Sequence, residues 1–353
     1  MRSSHSLTGG KIRTRPPASS HTVASRERVG VTEFEQNRIS TYSPGNNALL
    51  LTADSKHAAV ARPRPAGNLW SLNFLSYENR AATALAPYLF TAFVVGQLVL
   101  LLAAIRYFFR PTWDLQVAAG PGAIVATIVA CGVVACFGEY FFHRYILHIE
   151  SVRMLRHMCS SHRAHHKLTN IQFDTQSGKV RSAYPILDAE QGDKATFPPW
   201  ALLAFFATVT PLLAAIAFAA PGIPILIGGY ISVAVAHFLY ETIHAAHHEP
   251  YETWKPRLES RMFGRAWTWL YGFHQAHHAN YHCNLNVAGF YGIPLGDLVF
   301  GTYKTPEPLL IDGATATSES ARRLVPTPRW PISSLDRRVF NRRRRQAKKS
   351  TAG

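Results

Sequence analysis

Fourteen of the seventeen histidines in this 353-residue chain fall between His143 and His282, and most stand in a repeated pattern. His162-Arg-Ala-His165-His166, His244-Ala-Ala-His247-His248 and His274-Gln-Ala-His277-His278 share the spacing H-x-x-H-H. His143-Arg-Tyr-Ile-Leu-His148 precedes them as H-x4-H. Imidazole is the commonest protein metal ligand near neutral pH. On an α-helix each residue turns about 100°, so positions i, i+3 and i+4 share a face. The adjacent rings at i+3 and i+4 diverge by about 100°, so one box can address two metals while its first ring sits between them. His143 and His148 lie about 140° apart around an α-helix. They share a face only where the helix ends or unwinds between them.

The carboxylates narrow the type of site. Soluble diiron bundles use paired Glu-x-x-His motifs and bridging carboxylates. Only Glu241-Thr-Ile-His244 has that form here. The ligand set is therefore expected to be all or nearly all histidine. Glu139 and Glu241 stand one turn before His143 and His244. Each is expected either to orient a ligand ring by hydrogen bonding or to reach water as an interfacial charge. His157, His237 and His282 suit a solvated position or a ring-orienting one.

The elements that must position these boxes are apolar. Four stretches, residues 88–109, 117–138, 197–220 and 223–243, are each about 20 residues long, enough to cross about 30 Å of hydrocarbon at 1.5 Å per residue. The connections at 110–116 and 221–222 are short. The expectation is an all-α integral membrane protein with four transmembrane helices in two hairpins and a cytosolic helical cap carrying the histidine boxes. Basic residues set the orientation. Arg153, Arg156, Arg163, Lys167, Lys179, Arg181 and Lys194 lie between the second and third stretches. Both tails are basic too, while the opposite side offers only Arg110, offset by Asp114. Tails and boxes are thus expected on the cytosolic side.

Residues 1–80 are polar and without periodicity, and read as a disordered basic tail or a transit peptide. Residues 81–303 read as the membrane domain, and residues 304–353 as a basic, mostly disordered tail. The net charge of +16 flanks membrane-length segments, so anionic lipid is the expected partner rather than nucleic acid. No aromatic stacking pattern surrounds the basic run at 342–349. Four cysteines without a C-x-x-C pair suggest no disulfide framework.

The box order resembles that of the fatty acid hydroxylase/sterol desaturase superfamily, over roughly residues 125–303. Tyr240-Glu241-Thr242-Ile243-His244 is similar to the helix end before that family's extra histidine pair. His277-His278-Ala-Asn280-Tyr281, then Asn284, Asn286, Gly289 and Asp297-Leu-Val-Phe300-Gly301-Thr302, is similar to its closing segment. The resemblance implies two irons, O2 as co-substrate, two electrons, and hydroxylation or desaturation of a lipid such as a fatty acyl chain or a sterol-like molecule. It implies His143, His148, His162, His165, His166, His274, His277 and His278 as ligands, with His244 and His248 as the additional pair and His247 ambiguous. Asn280 and His282, like Glu139 and Glu241, are then candidate partners of the ligand rings. No His-Pro-Gly-Gly core of a fused cytochrome b5-type domain occurs, so electrons are expected from a separate donor: a cytochrome b5-like protein, a ferredoxin or a reductase. Two other readings remain: a zinc-binding membrane hydrolase or scaffold, and a bis-histidine haem protein.

Overall fold

The computed structural model describes residues 80–350 apart from Thr175. The expected N-terminal tail up to residue 79 lies outside these described residues.

Four helices have the length and composition of membrane spans. They lie within α1 (Arg80–Phe108), α3 (Gly120–Phe142, continued by a π-helical turn, His143–Leu147), α6 (Ala201–Ala219) and α7 (Ile225–His247). A short helix, α2 (Arg110–Ala118), begins with proline in its first turn and takes residues 117 and 118 out of the expected second span. The second and fourth spans run further than expected and carry His143, His244 and His247 on the same continuous helices.

The spans are apolar on their outside. Leu100, Val125, Val134 and Phe218 are all exposed, an arrangement that water would penalise at about 25 cal/mol per Å2. The chain is a multi-pass membrane protein. Inside, α7 packs against α3, α6 and α1, and Phe90, Val94, Leu202, Phe206, Leu213 and Tyr230 form one apolar core. Gln116 is buried in this region, and its Oε1 accepts from the N–H groups of Leu226 and Ile227 at 3.0 and 3.1 Å. Those donors head α7 and have no partner within the helix.

Outside the spans lie α4 (Arg156–Leu168), β1 (Ile171–Asp174), β2 (Lys179–Ser182), α5 (Ala189–Ala195), α8 (Tyr251–Leu258), α9 (Gly264–Ala279), α10 (Leu295–Phe300), α11 (Ser318–Arg323) and α12 (Ile332–Ser350). The β1–β2 ribbon departs from a purely helical expectation. It pairs antiparallel with Phe173 opposite Val180, and Asp174 Oδ1 accepts from the N–H groups of Gln176 and Ser177 in its turn. Ile171, Val180, Tyr184, Trp254, Tyr271 and Leu310 form a second core there.

The C-terminal segment corrects the expectation of a mostly disordered tail. Through residue 350 it carries α11 and α12, and it buries Leu310, Leu324 and Ile332. Asp336 holds the buried Arg144 of the π turn at 2.5 Å and accepts from the Tyr145 hydroxyl at 2.9 Å. Scattered apolar residues and one acid, rather than a periodic pattern, dock this segment, and the surrounding arginines mask them in the sequence.

Candidate metal centre

The ten expected ligands come together as two groups of five. His143, His148, His162, His166 and His277 form one; His165, His244, His248, His274 and His278 form the other. Within each group the ligand nitrogens all lie within 4.8 Å of one another. Neither group includes a carboxylate. The groups adjoin: the His166 and His278 rings stack at 4.2 Å, although they belong to different groups.

The distribution follows helix geometry. Residues i and i+4 lie about 40° apart, whereas i+3 falls about 60° to the other side. On α4, His162 and His166 join the first group and His165 the second. On α9, His274 and His278 join the second group and His277 the first. Each of these boxes therefore splits between the two groups and links them. At the C-terminal end of α7, His244 and the capping residue His248 join the second group. His247 joins neither: it is buried, with its ring stacked on His274 at 5.1 Å.

The H-x4-H box meets the condition set by its spacing. The π turn lets the His148 N–H bond to the His143 carbonyl at 3.2 Å, five residues back, and this wider turn restores a shared face. The two rings stack at 5.0 Å with 14° between planes.

Backbone carbonyls orient the rings. His143 Nδ1 lies 2.6 Å from Leu285 O, His277 Nδ1 2.7 Å from Cys283 O, and His278 Nδ1 2.9 Å from Thr169 O. His248 Nδ1 lies 2.8 Å from Tyr184 O, and His244 Nδ1 3.1 Å from Ala195 O. A carbonyl oxygen only accepts, so in each neutral ring Nδ1 carries the proton and Nε2 keeps an unprotonated lone pair.

Those lone pairs have too few protein partners. Ring nitrogens of His143, His148 and His166 lie 3.0, 3.3 and 3.1 Å from the single His162 Nε2. One proton there can serve only one of them. In the second group, both ring nitrogens of His165, Nε2 of His244 and His248, and Nδ1 of His274 are buried without a hydrogen-bond partner. Unpaired buried polar atoms cost about 1–3 kcal/mol each. A cation at the centre of each group would take one nitrogen from each ring, so the residues present fit metal ions, while the other His165 nitrogen keeps no partner among the described residues. Burial, and then neighbouring imidazoles, push His148, His162, His165, His166, His274, His277 and His278 well below the usual histidine range. Burial brings His248 down to about 3. These rings are neutral at pH 7, the form that binds metal.

The expected side-chain partners are placed elsewhere. Glu139 accepts from the N–H groups of Ala288 and Gly289 at 2.9 and 2.8 Å, and Glu241 from the Phe197 N–H at 3.2 Å. Both carboxylates bind backbone because loops, not rings, cross their helices at that level. Asn280 donates to Leu324 O and accepts from the His282 N–H. The His282 ring lies against Tyr281 and Phe340, outside both groups. His237 sits among Phe90, Phe197 and Phe205.

One carboxylate that does act on the site was not foreseen in that role. The buried Asp297 accepts from the N–H groups of Leu285 and Asn286 at 3.0 and 2.8 Å and from the Thr302 hydroxyl at 2.6 Å. It thereby fixes the peptide unit whose carbonyl holds His143.

A cavity of about 380 Å3 opens beside the first group. His162 stands in its wall with Leu147, Met158, Phe197, Trp200 and Tyr240, and His157, Ser161, Asp193 and Lys194 supply polar edges. Compared with known protein families, curated proteins and solved structures, the chain finds no match.

Proposed function

We propose that this chain is a membrane oxygenase of the histidine-box diiron type, which hydroxylates or desaturates a lipid with O2 and two electrons. The observation that carries this reading is the pair of adjoining five-imidazole groups without a carboxylate, one of them forming part of a cavity wall. Five imidazoles exceed the four ligands of a closed structural zinc site, and two linked sites suit a two-electron reaction at one place. Similarity of the box order and of the closing segment to the fatty acid hydroxylase/sterol desaturase superfamily points the same way.

Two irons, held one per group, would supply O2 reduction and removal of hydrogen from an inert C–H bond. In hydroxylation one oxygen atom enters the C–H bond and the other leaves as water, with two electrons and two protons consumed. In desaturation two hydrogens leave the substrate and both oxygen atoms leave as water. The chain's own residues position the reactants. The apolar walls from Leu147, Met158, Phe197 and Trp200 take the chain or ring system of an amphiphile. Lys194, Asp193 and His157 meet its polar end, and Tyr240 and His162 face the carbon that reacts. Trp200, more than half exposed at the head of α6, suits the membrane–water boundary where such a substrate enters. In this reading the spans form two hairpins, and the segments between and after them cap the site on the cytosolic side. Electrons come from a separate donor protein.

The test is lipid profiling by mass spectrometry of cells expressing the chain, the His165→Ala variant or the His278→Ala variant, with iron analysis of each purified protein. The expected result is an iron-containing protein and a lipid product shifted by one oxygen or by two hydrogens, formed only in air and lost in both variants. Equal product under anaerobic conditions, or unchanged iron and product in both variants, overturns the reading. A zinc hydrolase would give the first of these outcomes.

A further inference from the structure

The segment from Asn286 to Phe300 inverts the usual arrangement of a surface loop. Its exposed side chains are Tyr291, Ile293, Leu298 and Val299, all apolar or aromatic. Its two strongly polar side chains, Asn286 and Asp297, are buried, and each accepts from the other's backbone N–H. A loop in water shows the reverse. The geometry points to a re-entrant element: residues 286–300 enter the bilayer beside α3, and their outer face contacts lipid hydrocarbon.

Depth along α3 supports this. The Tyr291 hydroxyl donates to the carbonyl of Ile128 at 3.2 Å. Ile128 lies eight residues inside the span that begins at Gly120, about 12 Å at 1.5 Å per residue. In a hydrocarbon layer of about 30 Å that is near the middle. The contact needs Gly132, since a β-carbon there would stand 2.7 Å from the Tyr291 oxygen. Phe300 packs on Phe137 and Tyr140, so the element lies along α3 from its tip back to the level of the metal centre.

Irregular backbone survives at such depth only where its polar groups are satisfied within the protein. Here they are. Glu139 takes the N–H groups of Ala288 and Gly289, and Asp297 takes those of Leu285 and Asn286. Phe290 and Ile293 bond to each other through both N–H groups, and the Gly292 N–H returns to Ala288 O. This gives Glu139 a role: its carboxylate closes the entry of the element. The same strand of chain presents the Leu285 carbonyl to His143, so the bilayer grips an element that also orients a candidate ligand. None of this depends on which metal or reaction the site supports.

The test uses the full chain, with the half-buried Cys131 replaced by alanine, in phosphatidylcholine vesicles. Nitroxide labels go on Ile293→Cys and Tyr291→Cys, with Leu100→Cys as a lipid-facing reference and Met154→Cys, which is 92% exposed outside the spans, as an aqueous one. Relaxation by dissolved O2 is compared with relaxation by a water-soluble nickel chelate. The expected result is that at least one loop label shows the ratio of Leu100→Cys, high for O2 and low for nickel, in protein that elutes as the parent chain does. A nickel response like that of Met154→Cys at both positions overturns the inference. So does protection from both agents at both positions, which would mean that a second copy of the chain covers this face.

Discussion

The split of the α4 and α9 histidine boxes between two groups makes a prediction that ring proximity would reverse. Consider two double variants that share His278→Ala. Combined with His165→Ala, it removes two rings from one group. Combined with His166→Ala, it removes one ring from each group, although His166 and His278 are the closer pair, at 4.2 Å against 5.0 Å. Binding at four-ligand structural zinc sites is about 10–16 kcal/mol, or about 3 kcal/mol per ligand. That is about a hundredfold in affinity for each imidazole lost. The His165/His278 variant should therefore keep one metal at the parent affinity and lose the other by about four orders of magnitude. The His166/His278 variant should hold both metals, each weakened about a hundredfold. Metal content measured across a chelator titration separates the two: a two-step curve with one unchanged step, against a uniform shift. If both variants titrate alike, the assignment of rings to groups is wrong. If the His166/His278 pair gives the two-step curve, the groups are drawn the wrong way round.

Two further outcomes follow from the same geometry. Asp297→Ala removes three hydrogen bonds from the Leu285 peptide and its neighbours, and partners that orient ligand rings are worth about 10–100-fold in metal affinity. The loss should fall on the group containing His143 and leave the other metal in place; equal loss from both, or from neither, contradicts the proposed linkage. In metal-free protein, burial sets the folded value of His248 at about 3 against about 6.5 unfolded. The unfolded chain takes the proton first. This part of the stability is fully present above about pH 6.5 and falls by about 1.4 kcal/mol per pH unit below it. The other depressed imidazoles act in the same direction. The thermal midpoint in detergent should drop steeply from about pH 7 to about pH 5 and far less once metal is bound; a flat profile would mean the rings are not buried as neutral groups.

The membrane class and the convergence of the histidine boxes were legible because both rest on simple periodicities, while the choice of ten rings within the boxes came from the family resemblance. Span length reads directly from apolar runs, and i, i+3, i+4 spacing fixes ring direction on any helix. Even the π turn was signalled, since His143 and His148 share a face in no regular α-helix. The environment of the rings was not legible. Glu139 and Glu241 have the right spacing to address rings one turn on, but whether a loop intervenes depends on residues 150 and 44 positions away. The docking of α12 through Asp336 and Ile332 likewise rests on isolated residues within a basic run. The segment around Tyr291 is too short and too rich in glycine to register as a span.

The carbonyl acceptors around the candidate metal centre have a consequence for how this site can change. The groups that hold His143, His277, His278, His248 and His244 in place belong to the peptides of Leu285, Cys283, Thr169, Tyr184 and Ala195. Every amino acid carries that same oxygen. Substitution at these five positions leaves the acceptor intact so long as the loop keeps its path, so ring orientation is buffered against point mutation. Its inheritance is carried by loop length and trajectory. Insertions, deletions and prolines in these loops, rather than exchanges of side chain, are the changes to which the centre is vulnerable.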